Sequence, residues 1–310
     1  MSEETFEHTF EVEVPARLKV SNVRGHVDIR PGEDEIIRVT AIKHQGSGLN
    51  GNTQIIIEQE EDGLVIAEAK YDKSVTNWFG LNKPCRVDFT IQVPKACSVK
   101  VNCVSSSAAV EGLDGDIDIN CVSGNLELSD LSGKFNFSSV SGKITADNLT
   151  GPLEMNNVSG KVQITQSQIP SMIGKTVSGH VSVETPLTEG PYEFKSVSGN
   201  LVLITPDDTA CTIRTKSVSG RTKVNLPVTS KSGTRNKRYI EVAGGGPEVL
   251  VNSVSGVLKI GSPNFVKLEE PAETVPSVEA APPPKSQMQI LQEIENGEIT
   301  VDEALKQLNP

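Results

Sequence analysis

Glycines at 115, 124, 133, 142, 151 and 160 stand nine residues apart without a slip. After each comes one residue and then, with few exceptions, apolar residues two apart: Ile117 and Ile119, Leu126 and Leu128, Phe135 and Phe137, Leu153 and Met155, Val162 and Ile164. Period two marks a strand with one buried face. The lead-in alternates between Val-Ser-Gly, with valine at 122, 140 and 158, and Leu-x-Gly, with leucine at 113, 131 and 149, so the repeating unit is two strands in 18 residues. Such a unit cannot stand alone, because its few inward side chains do not offset the entropy of fixing its backbone. Stacking identical units about 4.8 Å apart pairs every strand above and below. The sequence therefore predicts an all-β fold, a parallel β-helix or β-solenoid with rungs of about 18–21 residues.

The grammar extends in both directions. Valines 104, 122, 140, 158, 177, 197, 218 and 254 each follow a short polar pair and precede a serine, and they predict a valine column inside the solenoid. The serine is followed by Gly124, Gly142, Gly160, Gly179, Gly199, Gly220 and Gly256, whereas Ser106 stands in the first rung. Together with Gly115, Gly133 and Gly151 these glycines are read as structural corners, where positive φ or a close neighbouring chain excludes a side chain. The spacing of the second set grows from 18 to 21 residues and then jumps to 36 between Gly220 and Gly256. That jump holds Lys231, Arg235, Lys237 and Arg238, readable as a solvated hairpin or a basic binding loop.

The division that follows has four parts. Residues 1–101 form an irregular β region that begins or caps the solenoid, and residues 102–261 form the regular array. Residues 262–286, with six prolines among acidic and small residues, read as a disordered linker. Residues 287–310 read as a short α-helical hairpin, with Leu291 and Ile294 on one helix, Gly297 ending it, a capping box at Thr300–Glu303, and Leu305 and Leu308 on the second. That pair has too little core to be stable alone and predicts docking on a protein partner or on its own kind.

Charge and chemistry narrow the function. Lys and Arg total 29 against 40 Asp and Glu, a net charge of -11, and the segment 262–310 carries three lysines against nine carboxylates, or -6 of it. A mildly acidic body poor in aromatics gives no reason to expect nucleic acid. No signal peptide or membrane-length apolar run is legible, which predicts a cytoplasmic location, and five cysteines without a CxxC pair fit a reducing compartment. Asp116 and Asp118 are a candidate catalytic pair, but outward carboxylates do not accumulate on one face, and cross-strand pairing explains them. Cys103 and Cys121 read as buried fillers or as a reactive or metal-binding pair; only two sulfurs converge and no histidine joins them in the pattern, so no metal site is expected. Lys175, Lys195 and Lys216 fall in an outward column on consecutive rungs, either a solvated face or a stripe for an anionic surface. Trp78 and Phe79, in a long insertion at 71–84, offer an exposed binding tip or fold onto the cap.

The repeated Val-Ser-Gly-x-Leu/Ile/Val motif, opening with Asn22-Val-Arg-Gly-His-Val-Asp-Ile29, resembles the bacterial "putative adhesin" family of β-solenoids from about Phe6 to Ile260. The resemblance implies a non-enzymatic solenoid without cofactor, an adhesin-like interaction protein at an envelope or glycan surface. The segment 290–305 resembles the SHOCT type of helical module, which implies oligomerisation or partner docking. Relatives tied to Lia-type envelope stress responses carry such helices at the front, whereas here they are at the back. Carbohydrate binding or cleavage, and end-to-end polymerisation, stand as alternatives.

Overall fold

A computed structural model describes residues 2–45, 53–71, 84–234 and 236–263. The linker, the helical hairpin with Leu291, Ile294, Leu305 and Leu308, and the tip with Trp78 and Phe79 all lie outside the described residues. What is described is one 23-stranded, mostly parallel sheet coiled around a continuous apolar core. Among the described residues no helix enters that core.

The N-terminal third supplies β1 (Ser2–Glu11), β2 (Ala16–Pro31), β3 (Ile36–Gln45), β4 (Thr53–Gln59), β5 (Leu64–Tyr71), β6 (Arg86–Val93) and β7 (Cys97–Glu111). The regular middle follows with β8 (Ile117–Ser123), β9 (Leu126–Ser132), β10 (Phe135–Ser141), β11 (Lys143–Thr150), β12 (Leu153–Asn157) and β13 (Lys161–Thr165). Then come β14 (Met172–Thr176), β15 (His180–Glu184), β16 (Tyr192–Ser196), β17 (Asn200–Ile204), β18 (Cys211–Ser217) and β19 (Arg221–Asn225). The chain closes with β20 (Val228–Gly233), β21 (Lys237–Val242), β22 (Glu248–Ser253) and β23 (Val257–Gly261).

Each rung lays one strand on each of two faces. On the first face β8 pairs in parallel with β10, β10 with β12 and β12 with β14; on the second β9, β11, β13 and β15 do the same. The register is strict, Phe135 standing between Ile117 and Leu153, so each apolar position becomes a column in the core. The long strands β2 and β7 run through the corner from one face to the other.

Both ends depart from sequence order. β2 lies between β7 on one side and β5 and β6 on the other, so the first rung of the chain is not the first of the stack. At the far end β22 sits between β16 and β18, and β23 between β17 and β19. After β17 the chain skips one level, lays β18 and β19, adds the antiparallel hairpin β20–β21, and returns to fill the gap. Layers therefore run β5/β6, β2, β7, β8/β9, β10/β11, β12/β13, β14/β15, β16/β17, β22/β23 and β18/β19. Antiparallel strands cap them: β4 on β5, β1 and β3 on β6, and β21 and β20 on β18. The hairpin expected in the 36-residue jump is present; its doubling back was not expected.

Two other expectations change. The first is the valine column. Val122 and Val140 are buried at 1 % exposure, yet they share no part of the continuous core. Parity explains this: with Ile117, Ile119 and Cys121 facing inward along β8, Val122 shares the outer side with Asp118 and Asn120. The valines line a crease on the outside of the bend between the two faces. The second is the lysine column, for Lys195 and Lys216 are not on neighbouring rungs: Asn252 stands between them.

Candidate functional site

The outer crease is the natural place to look, because its two halves differ. Val122 and Val140 are 1 % exposed and Val158 6 %, whereas Val197 is 49 %, Val254 50 % and Val218 66 % exposed. The hydrogen bonding of the corner marks the change. In the open half Thr176, Ser196 and Ser217 each use the side-chain hydroxyl to accept the N–H of the glycine three residues on, at 3.0, 2.8 and 2.7 Å. These are local turns closed by a hydroxyl, and Gly179, Gly199 and Gly220 need no positive φ in them.

In the closed half Gly142 and Gly160, at φ 125° and 120°, make corners of another shape. A Cβ on Gly142 would run into the carbonyl oxygen of Gly124 one rung below, and a Cβ on Gly160 into that of Gly142. The sequence motif puts Gly160 and Gly179 in one class of corner, and the structure separates them. Gly160 ends the strict nine-residue run at positive φ, and Gly179, next in its column, is the first of the hydroxyl-closed turns. The residue three positions earlier does not decide this by itself: Thr176 accepts the Gly179 N–H, whereas Ser139 donates to the Ser141 carbonyl and Ser253 to Ser217, and Gly142 and Gly256 keep positive φ. Val254 shares the open environment although Gly256 has positive φ, because its neighbours on both sides are hydroxyl-closed turns.

Beside the open crease runs a cationic row. Register places Lys175, Lys195, Asn252, Lys216 and Lys237 on adjacent strands, continuing a row that begins Asn102, Asn120, Ser138 and Asn156. None of the four lysines forms an ion pair among the described residues. The adjoining outward column, Ile173, Glu193, Leu250, Arg214 and Tyr239, holds a single carboxylate. Arg214 is itself engaged, 2.7 Å from Glu248 and over the Tyr239 ring at 5.6 Å. Lysines and valines together line a groove of about 1210 Å³.

At the groove's closed end lies Asn157, 4 % exposed, whose Nδ2 has no hydrogen-bond acceptor. A buried donor without a partner is costly and suits an incoming acceptor. Sequence reasoning found Lys175, Lys195 and Lys216. It named Lys237 only as part of a possible basic loop and missed its place beside Lys216, and it missed Asn252, which joins the row through the chain's return, and Asn157, which was read as a filler in an inward polar column.

The remaining candidates are held in structural contacts. Asp118 is 2.8 Å from the Lys100 ammonium and accepts from Asn120 and Asn136 at 3.3 Å each, while Asp116 accepts the backbone N–H of Lys134. The cross-strand ion pair expected for these carboxylates is present at Asp118, supplied by Lys100 on the neighbouring rung. Cys103 and Cys121 stand side by side with reduced thiols that burial pushes up to about 12. Asp88 in the N-terminal cap is held below the usual carboxylate range: burial opposes ionisation, but Arg86 and His44, the latter at 2.8 Å, outweigh it. Among the described residues no three His, Cys, Asp or Glu side chains converge to hold a metal.

The sequence model of the Toastrack DUF4097 family matches residues 16–261. Among solved structures, a "putative adhesin" from Bacteroides fragilis NCTC 9343 is 13 % identical, covering 84 % of this chain and 97 % of its own with a TM-score of 0.46. A second, from Parabacteroides distasonis ATCC 8503, is 12 % identical over 83 % and 97 % with a TM-score of 0.43. A "putative lipid binding protein" from the same organism is 12 % identical over 83 % and 96 %, with a TM-score of 0.40. No curated protein sequence matches the chain.

Proposed function

This chain belongs to the Toastrack DUF4097 family, and on that premise we propose that it is a non-enzymatic, adhesin-like interaction scaffold whose open crease holds an acidic glycan chain. The observation that carries this reading is the row of four unpaired lysines beside exposed valines and the acceptorless amide of Asn157. Each part suits a different portion of such a ligand. Lysines attract carboxylates or sulfates, Asn156, Asn252 and Asn157 meet hydroxyls, and valines cover the apolar faces of sugar rings. The row follows the stacking direction, so a linear chain lying along the solenoid meets a cation on nearly every rung, about 4.8 Å apart. Nucleic acid is a poorer fit, for none of the residues lining the groove is aromatic and bases would have nothing to stack upon.

Support for a non-catalytic role comes from Asp116 and Asp118, whose contacts fix them within the ladder. The test is calorimetric titration of the full chain with heparin as a model acidic polysaccharide. Wild type should bind, with affinity falling steeply as salt rises, and Lys175→Ala/Lys195→Ala/Lys216→Ala should weaken binding at least about tenfold, the equivalent of 1.4 kcal/mol. Equal affinity in the triple variant, or a neutral dextran bound as well as heparin, overturns the assignment.

A further inference from the structure

The two ends of the solenoid are open sheet edges of opposite charge. At the N-terminal end the outermost strands are β1, paired only with β3, and β4, paired only with β5. At the C-terminal end they are β19, paired only with β23, and β20, paired only with β21. Each leaves a row of backbone groups without a strand partner within the described chain, the feature through which sheets recruit further strands, although the Thr222 carbonyl of β19 accepts from the Arg238 guanidinium. β1 carries Glu3, Glu4, Glu7 and Glu11 with no lysine or arginine, and β4 carries Glu58. A cleft of about 920 Å³ at this end adds Glu13, Asp34, Glu35, Glu61 and Asp62 against Arg17 alone. The opposite end has the reverse sign: β19 carries Arg221 and Lys223, β20 carries Lys231, β21 carries Lys237 and Arg238, and across β18 to β21 Glu241 is the single carboxylate.

From these edges we propose that the protein assembles head to tail with further copies of itself, the acidic N-terminal edge of one copy meeting the basic C-terminal edge of the next. Like charge at matching ends opposes head-to-head and tail-to-tail contact, which leaves the heterologous arrangement. The steps in the two edges run in the same sense. At the basic end the first face extends beyond the second by β21 and β20; at the acidic end the second face extends beyond the first, having β3 and β1 where the first has β4. The second face of an incoming copy thus projects toward the recess above β19. A heterologous contact of this kind does not close on itself, so the product is an open filament. The two readings share Lys237, which the variants below leave in place; the residues those variants change lie at the ends and do not line the crease.

Sedimentation velocity of the full chain across a concentration series is the experiment. At about 0.01 M salt, where screening extends roughly 30 Å, species larger than the monomer should grow with concentration, and about 1 M salt should return them to monomer. Glu7→Lys/Glu11→Lys/Glu58→Lys leaves two carboxylates against three lysines on the outermost strands β1 and β4, and Arg221→Glu/Lys223→Glu/Lys231→Glu turns the three cations of β19 and β20 into carboxylates. Each variant thus reverses the charge of one outermost edge and should stay monomeric alone. Mixed in equal amounts they should assemble again in strict alternation, which also shows that both variants are folded. A wild type that stays monomeric at low salt, variants that assemble alone as wild type does, or a mixture that does not assemble overturns the proposal. Assembly driven by the C-terminal segment would survive in both variants and falls among those negative outcomes.

Discussion

The rungs around Val140 and those around Val218 follow the same Val-Ser-Gly rule, yet the first closes its crease and the second opens it. In the closed half, glycine stacks on glycine, the chain crosses the corner at positive φ, and valine is shut away. In the open half, the hydroxyl before the valine accepts the glycine N–H and ties the corner to itself, leaving valine and lysine facing solvent, whereas the Ser139 hydroxyl before Val140 donates to the Ser141 carbonyl. The turn taken at the corner therefore separates a closed seam from an open groove. The shared motif builds the stack, and the hydrogen bonding at each corner decides what the stack exposes.

The strongest way to break this contrast is at the glycines. Gly142→Val should cost about 4 kcal/mol, combining a disfavoured φ with a collision against the backbone of Gly124. By comparison Gly220→Ala should cost less, about 2 kcal/mol: φ is not positive, but the Cβ displaces the Ser217 hydroxyl that accepts the Gly220 N–H and stands 3.0 Å from the Gly256 carbonyl oxygen. Urea unfolding of both variants checks the pair, and equal midpoints would mean that the two corners are built alike. Next come the valines. Val140→Asp should destabilise by about 3 kcal/mol, since a carboxylate would be buried without a cation, whereas Val218→Asp should stay within about 0.5 kcal/mol. Thermal melts that shift equally for the two substitutions would remove the distinction between closed and open crease. At the corner hydroxyl itself, Ser217→Ala should cost about 1 kcal/mol from the lost bond to the Gly220 N–H, accompanied by faster amide exchange at Gly220. Unchanged exchange there would show that the hydroxyl does not hold the corner.

Much of the fold was legible because a period of two within a period of nine leaves few alternatives. Inward columns such as Ile117, Phe135 and Leu153 follow directly from alternation. The same alternation, applied consistently from Cys121, places Val122 outside; its apolar character suggested the core, and parity prevailed. The break between Gly160 and Gly179 was hidden, because both end the same Val-Ser-Gly triplet and differ only in what precedes it. Lys175 and Lys195 were visible as neighbours, but Lys216 was assigned a neighbour it does not have, and Lys237 and Asn252 were invisible as members of the row. The charges of the two ends were legible from the start. What was missing was which strands are edges.

The sequence by itself determined that this chain stacks, through glycines that admit a neighbouring backbone and apolar residues that need one on each side. Only the tertiary structure decided the order of the stack, including the placing of β22 and β23 between strands that precede them in the chain. The reason is that parallel rungs pair through the backbone, which is the same in every rung, so the repeat specifies how layers join without saying which layer joins which. Connection lengths and antiparallel caps settle that choice, and with it the side chains that face the groove.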